Sequence, residues 1–128
     1  MRQNYSSGTI WEKNLSYSRA VRVGNVIKVA GTTAVDEAGN VVGGNDVYAQ
    51  CMFIYQKIQR VLEEAGSGMD QVVSTRIYIV NINEWQAAGK AHHDVFHEIH
   101  PVSTMVGVNA LIRPDLLVEI EVEAMVHY

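Results

Sequence analysis

Leu117-Val118-Glu119-Ile120-Glu121-Val122-Glu123 alternates apolar and acidic residues without a break. A period of two is the period of a β-strand, so Glu119, Glu121 and Glu123 share one side and Val118, Ile120 and Val122 the other. Three carboxylates on one side repel one another. A strand holds them only where that side meets water, cations or a pocket that uses a carboxylate. Arg22 and Arg76 are the candidate ion-pair partners for Glu119 across a sheet.

Outward from this strand, the segment from Pro101 to Pro114 reads as a strand over Thr104 to Val108 followed by a turn, with the closing strand running from Leu117 to Val126. Upstream, Ala20 to Val23 and Val26 to Ala30 flank Gly24-Asn25, a hairpin signal. A short strand at Val41-Val42 follows the turn Asp36-Glu37-Ala38-Gly39-Asn40. Asn45 or Asp46 caps a long helix whose apolar face is Val47, Cys51, Ile54, Ile58, Val61, Leu62 and Ala65, and Gly66 stops it. Val72 to Ile82 is rich in β-branched residues and reads as a central strand. Asn83 caps a second helix that runs to about Ile99, with Trp85, Ala88, Val95, Phe96 and Ile99 on one face, and Pro101 ends it. The order β-β-(β)-α-β-α-β-β predicts an α+β fold, a mixed sheet with two helices packed on one face. The other face stays uncovered and carries apolar as well as acidic positions. A soluble monomer rarely exposes such a surface, so a closed homo-oligomer with pockets between subunits is expected.

The 128 residues read as one domain, 1-128, with a formal charge of -4. An acidic balance argues against a nucleic-acid groove. No apolar run is long enough for a membrane span, and the first residues lack an apolar signal core. Cys51 is the only cysteine and lies on a helical apolar face, so it reads as a core residue of a protein in a reducing cytoplasm.

Four side chains carry chemical potential. Glu119 can position or deprotonate a water. Tyr17 can donate its hydroxyl to a ligand. His92 falls in the middle of the apolar stripe of the second helix, and Gly89 one turn earlier opens space beside it. Arg113, in Leu111-Ile112-Arg113-Pro114-Asp115, can swing to an anion. His93, His97 and His100 recur at a zinc-compatible spacing, but they read as a solvated helix edge, and no metal is expected. Ser7, Ser16 and Ser103 lack a nucleophile-elbow context.

The ordered set Tyr17-Ser18-Arg19-Ala20-Val21-Arg22-Val23-Gly24-Asn25, Val29-Ala30-Gly31-Thr32, Ala49-Gln50, Leu62-Glu63-Glu64-Ala65-Gly66, Val72-Val73-Ser74-Thr75-Arg76-Ile77-Tyr78, His100-Pro101 and Leu117-Val118-Glu119-Ile120-Glu121 resembles the Rid family, also called YjgF-like or L-PSP endoribonuclease-like. The likeness covers roughly residues 15 to 127. It implies a chorismate-mutase-like fold, a homotrimer and clefts between subunits. In the best-known branch those clefts hydrolyse enamines and imines to a keto acid and ammonia. That branch holds the substrate carboxylate with an arginine after the second helix and places a cysteine two residues beyond it. Here Pro101-Val102-Ser103-Thr104-Met105 puts Ser103 at the arginine position and Met105 at the cysteine position. Its helix asparagine corresponds to Gly89 and its strand-end serine to Ala30, whereas Tyr17, Gly31 and Glu119 match. A serine gives one neutral hydrogen bond where an arginine gives a bidentate ion pair. The resemblance therefore points away from the standard 2-imino-acid substrates.

The expectation is a trimer that hydrolyses or binds a small imine- or enamine-type metabolite without a cofactor. Glu119, Tyr17 and His92 would do the chemistry, and Gly31, Gly89, Ser103, Thr104, Met105 and Arg113 would line the pocket. A non-catalytic metabolite-binding or regulatory trimer is the alternative, and an endoribonuclease the weaker one.

Overall fold

In the computed structural model, which describes residues 1–127, the alternating segment forms an inner strand of a six-stranded sheet. The elements run β1 (Arg2–Tyr5), α1 (Ile10–Leu15), β2 (Ala20–Val23), β3 (Val26–Thr32), α2 (Val47–Glu64), β4 (Val72–Ile79), α3 (Trp85–Phe96), β5 (Val102–Gly107) and β6 (Val118–Met125). The strands lie in the order β1-β2-β3-β6-β4-β5. Only β4 and β5 run parallel, so the sheet is mixed and the fold is α+β.

Alternation decides the layers. Val118, Ile120, Val122 and Ala124 of β6 are at most 3% exposed and pack in the core under the helices. The apolar positions read on α2 are all buried, and Tyr55 joins them. Asp46 caps α2 by accepting from the Ala49 amide, and Gly66 turns the chain off it at φ +91°. Gln50 is fully buried on the same helix. Its amide donates to the carbonyls of Gly44 and Asp115, and its oxygen accepts from the Leu117 amide at 3.0 Å, which fixes where β6 begins.

Several boundaries differ from the sequence reading. The N-terminal β1 and α1 carry little periodicity, and tertiary contacts make them: β1 pairs with β2, and Thr9 caps α1. Val41 forms only an isolated bridge to Val35, because Gly43-Gly44 leaves no length for a strand. β4 ends at Ile79, and Asn81 rather than Asn83 supplies the capping oxygen, to a 3-10 turn at Ile82–Glu84. α3 stops at Phe96. Trp85 at its start is 54% exposed and lies outside the core, where Ala91 takes a buried position instead.

The sheet face away from the helices is uncovered. Register places Glu119 beside Tyr78, Glu121 beside Arg76 and Glu123 beside Lys28. Val102, Thr104 and Val106 of β5 line up with Ser74, Arg76 and Tyr78 on that same face. Val102 is 71% exposed, and Val23, Val26 and Val106 are exposed as well.

Candidate functional site

Glu119 is set apart from its two neighbours on the strand. Glu121 accepts from Tyr78 Oη at 2.6 Å and lies 3.6 Å from Arg76, and Glu123 lies 3.3 Å from Lys28 Nζ. Among the described residues Glu119 has neither a hydrogen-bonded nor an ion-paired partner. Arg76 is engaged with Glu121, and Arg22 donates to the carbonyls of Gly24 and Ala65, so neither arginine takes the pairing read for Glu119 from the sequence. The β3–β6 pairing slips between Val29 and Thr32, and Gly31 lies in that irregularity. A Cβ on Gly31 would overlap Glu119 Oε2, so the glycine makes the room the carboxylate occupies. Burial raises the Glu119 pKa, with the Arg19 charge opposing and Glu121 adding to the rise. A carboxyl so placed exchanges a proton more readily near neutrality than a solvated one.

Arg19 organises this corner. Its guanidinium donates to the Gly31 carbonyl at 2.7 Å, to Thr32 Oγ1 at 3.1 Å and to Glu12 Oε2 at 3.2 Å. Its remaining nitrogen lies 3.5 Å from Tyr17 Oη. Tyr17, Gly31 and Glu119 are thus drawn to one corner through Arg19, which is only 8% exposed.

A second polar group lies on the helix side of the sheet. Thr75 stands opposite Val122 and is 1% exposed. Its hydroxyl is 2.9 Å from His92 Nε2 and 2.7 Å from Ser103 Oγ. The Thr75 hydroxyl donates its proton to Ser103 Oγ, which leaves its oxygen to accept from a His92 Nε2–H. Burial lowers the His92 pKa and favours the neutral ring, which also packs 4.7 Å from Phe96. Gly89 leaves open space one turn away. Thr104 is exposed on the open face, and Met105 packs half-buried against the core. Arg113 is clamped by Asp115 at 2.8 Å and by the Gly39 carbonyl at 2.9 Å, so in this conformation it closes a turn.

One chain does not unite the two groups. Thr75 shares its side with Val122, and Glu119 points to the opposite face. Ser103 and His92 therefore lie on one side of the sheet and Glu119 on the other. His93 and His97 stack at 5.4 Å, and among the described residues no cluster of three metal-ligating side chains forms.

Thr75 and Glu12 do not stand out in the sequence. Thr75 was hidden in a β-branched run that reads as packing. Arg19 stood in the Tyr17-Ser18-Arg19 stretch, but its bonds to Glu12 and Gly31 depend on chain folding that spacing does not reveal.

Likeness to known proteins bears on this arrangement. The family model described as Endoribonuclease L-PSP matches residues 11–126. A crystal structure from Mycobacterium tuberculosis, of a member of the highly conserved YjgF/YER057c/UK114 family, superposes with a TM-score of 0.88 at 42% identity, covering 98% of this chain and 99% of that one. A RutC family protein of Pyrococcus abyssi is 35% identical over 82% of each chain. The 3-aminoacrylate deaminase RutC of Acinetobacter baylyi is 29% identical over 81% of this chain and 82% of its own.

Proposed function

This chain belongs to the endoribonuclease L-PSP family, the Rid/YjgF superfamily, and from that premise we propose that it hydrolyses a small enamine or imine in a cleft between subunits of a homotrimer. The observation that carries the reading is the half-buried Glu119 carboxylate, held against Gly31 and without a partner among the described residues. Hydrolysis of C=N needs a water delivered to carbon and a proton delivered to nitrogen. Glu119 takes the proton from the water, and Tyr17 orients the substrate from the same corner. Ser103, backed by Thr75 and His92, supplies the second hydrogen-bonding wall from a neighbouring copy, with Gly89, Thr104 and Met105 around it. Arg113 reaches an anionic group only by leaving Asp115 and Gly39.

The chemistry of the relative named as a 3-aminoacrylate deaminase supports an enamine-type substrate. Ser103 provides a neutral contact backed by a half-buried imidazole, which suits an uncharged or amide-bearing substrate better than a free 2-imino acid. No step requires a cofactor. A net charge of -4 weighs against a ribonuclease.

The test generates an uncharged imine in place with a flavin-dependent amine oxidase acting on a primary amine and follows free ammonia. The wild type is expected to accelerate release, and Glu119→Gln to lose about 100-fold or more, while Glu121→Gln stays within twofold. Equal rates for wild type and Glu119→Gln would remove the proposal. Ligand-induced thermal shifts without ammonia release would favour the binding-protein alternative.

A further inference from the structure

A cleft of about 560 Å3 lies beside α2, apart from Glu119 and Ser103, and Arg19, Asp36, Gln56, Lys57 and Arg60 are among the residues lining it. Lys57 is the unusual member. Its stem is half-buried, and Nζ donates to two backbone carbonyls, Thr33 O and Val35 O, both at 2.9 Å. Among the described residues no carboxylate forms an ion pair with it. An ammonium held this way is poorly compensated. Two carbonyls satisfy two N–H groups in either protonation state. The remaining position on nitrogen is a proton in the ammonium and a lone pair in the neutral amine.

The surrounding charges disfavour simple anion binding. Arg19, Lys57 and Arg60 are balanced by Asp36, Glu37 and Glu64 in the same lining. Arg60 lies 3.8 Å from Glu37, and Arg19 is committed to Glu12. Asp36 accepts from its own turn amides, Ala38 and Asn40. What the cleft offers is an anchored amine in roomy, charge-balanced surroundings.

We propose that Lys57 is a reactive amine and that this cleft captures small aldehydes or ketones as Schiff bases. The Nζ lone pair attacks the carbonyl carbon, the C=O π pair moves to oxygen, and one proton passes from the nitrogen to that oxygen to give the carbinolamine. The nitrogen lone pair then forms C=N as the C–O bond breaks, and the second nitrogen proton leaves with the hydroxide as water, with no change of oxidation state. Burial, reinforced by the Arg19 charge, lowers the Lys57 pKa to about 8, against the smaller opposing pull of Glu12 and Asp36. Roughly a quarter of such amines are neutral at pH 7.5, against about 0.1% of an ordinary lysine.

The experiment treats the full-length protein with propanal and cyanoborohydride at pH 7.5 and maps the alkylated lysines by mass spectrometry. Lys13, Lys28 and Lys90 are the internal references. The expected result is alkylation of Lys57 at least tenfold faster than of Lys28 or Lys90, levelling off as propanal rises and losing its advantage near pH 10. Labelling of Lys57 no faster than Lys28, or a rate that climbs linearly with propanal, would overturn the capture site. Neither result touches Glu119 or Ser103, so it is read separately from the proposed hydrolysis.

Discussion

Glu119 and Gly31 form a pair in which one residue's missing side chain makes the other's position. Gly31→Ala would push the flexible end of Glu119 aside, a movement that costs little because no backbone has to shift. We expect the melting temperature to stay within about 2 °C while ammonia release falls by about 100-fold; an active Gly31→Ala would separate the two residues. Glu119 itself carries a stability cost. Its folded pKa is raised by burial, so the stability linked to it is fully present below the ordinary value of 4.5 and is lost as pH rises through the raised value. Above that raised value the ionised carboxylate opposes folding, and Glu119→Gln should there melt a few degrees higher than wild type while losing turnover, a trade-off expected of a functional carboxylate. Turnover by wild type should fall as pH drops through that same raised value. Alternation made Glu119 legible in the sequence, and likeness to known proteins pointed to Gly31 and Tyr17. Thr75 was not legible, because a buried threonine on a strand looks like packing until the helix above it is in place.

At the scale of elements, two buried polar clamps hold the site's supports. Glu12 is 4% exposed and binds Arg19, Ser6 and Ser7. Burial alone would raise its pKa, but hydrogen bonds from Ser7 and Ser6 and the Arg19 charge outweigh that and hold it below the ordinary 4.5. A lowered pKa contributes stability that is present above the unfolded value and lost as pH falls through the folded one. Glu12→Gln should therefore cost about 3 kcal/mol at pH 7, by leaving Arg19 without its charge partner, and the difference from wild type should shrink below about pH 4; denaturant melts at pH 7 and pH 3 measure both. Gln50→Ala removes three hydrogen bonds that join the Gly44 turn to the start of β6 and should cost about 2–4 kcal/mol by the same melts. The long helix and its cap were readable from periodicity. β1 and α1 were not, since their exposed residues carry no pattern and pairing with β2 and the Glu12–Arg19 contact define them.

The whole molecule leaves one sheet face bare, with Val23, Val26, Val102 and Val106 exposed around a band of paired charges. The free edges of β1 and β5 add unpaired backbone groups. Such a face was foreseeable from helices confined to one side, and its geometry is compatible with the proposed trimer. The separation of Glu119 from Ser103 and His92 by the thickness of the sheet was not foreseeable, because the sequence placed both beside one cleft without saying whose. It makes partnership between copies a chemical requirement of the proposed site. Co-expression of Glu119→Gln with His92→Ala, followed by ammonia release from the mixed oligomer, tests this most directly. If each cleft takes Glu119 from one copy and His92 from the next, random mixing restores about one quarter of wild-type activity; activity no greater than that of either variant alone, in an oligomer shown to contain both, would contradict the shared cleft.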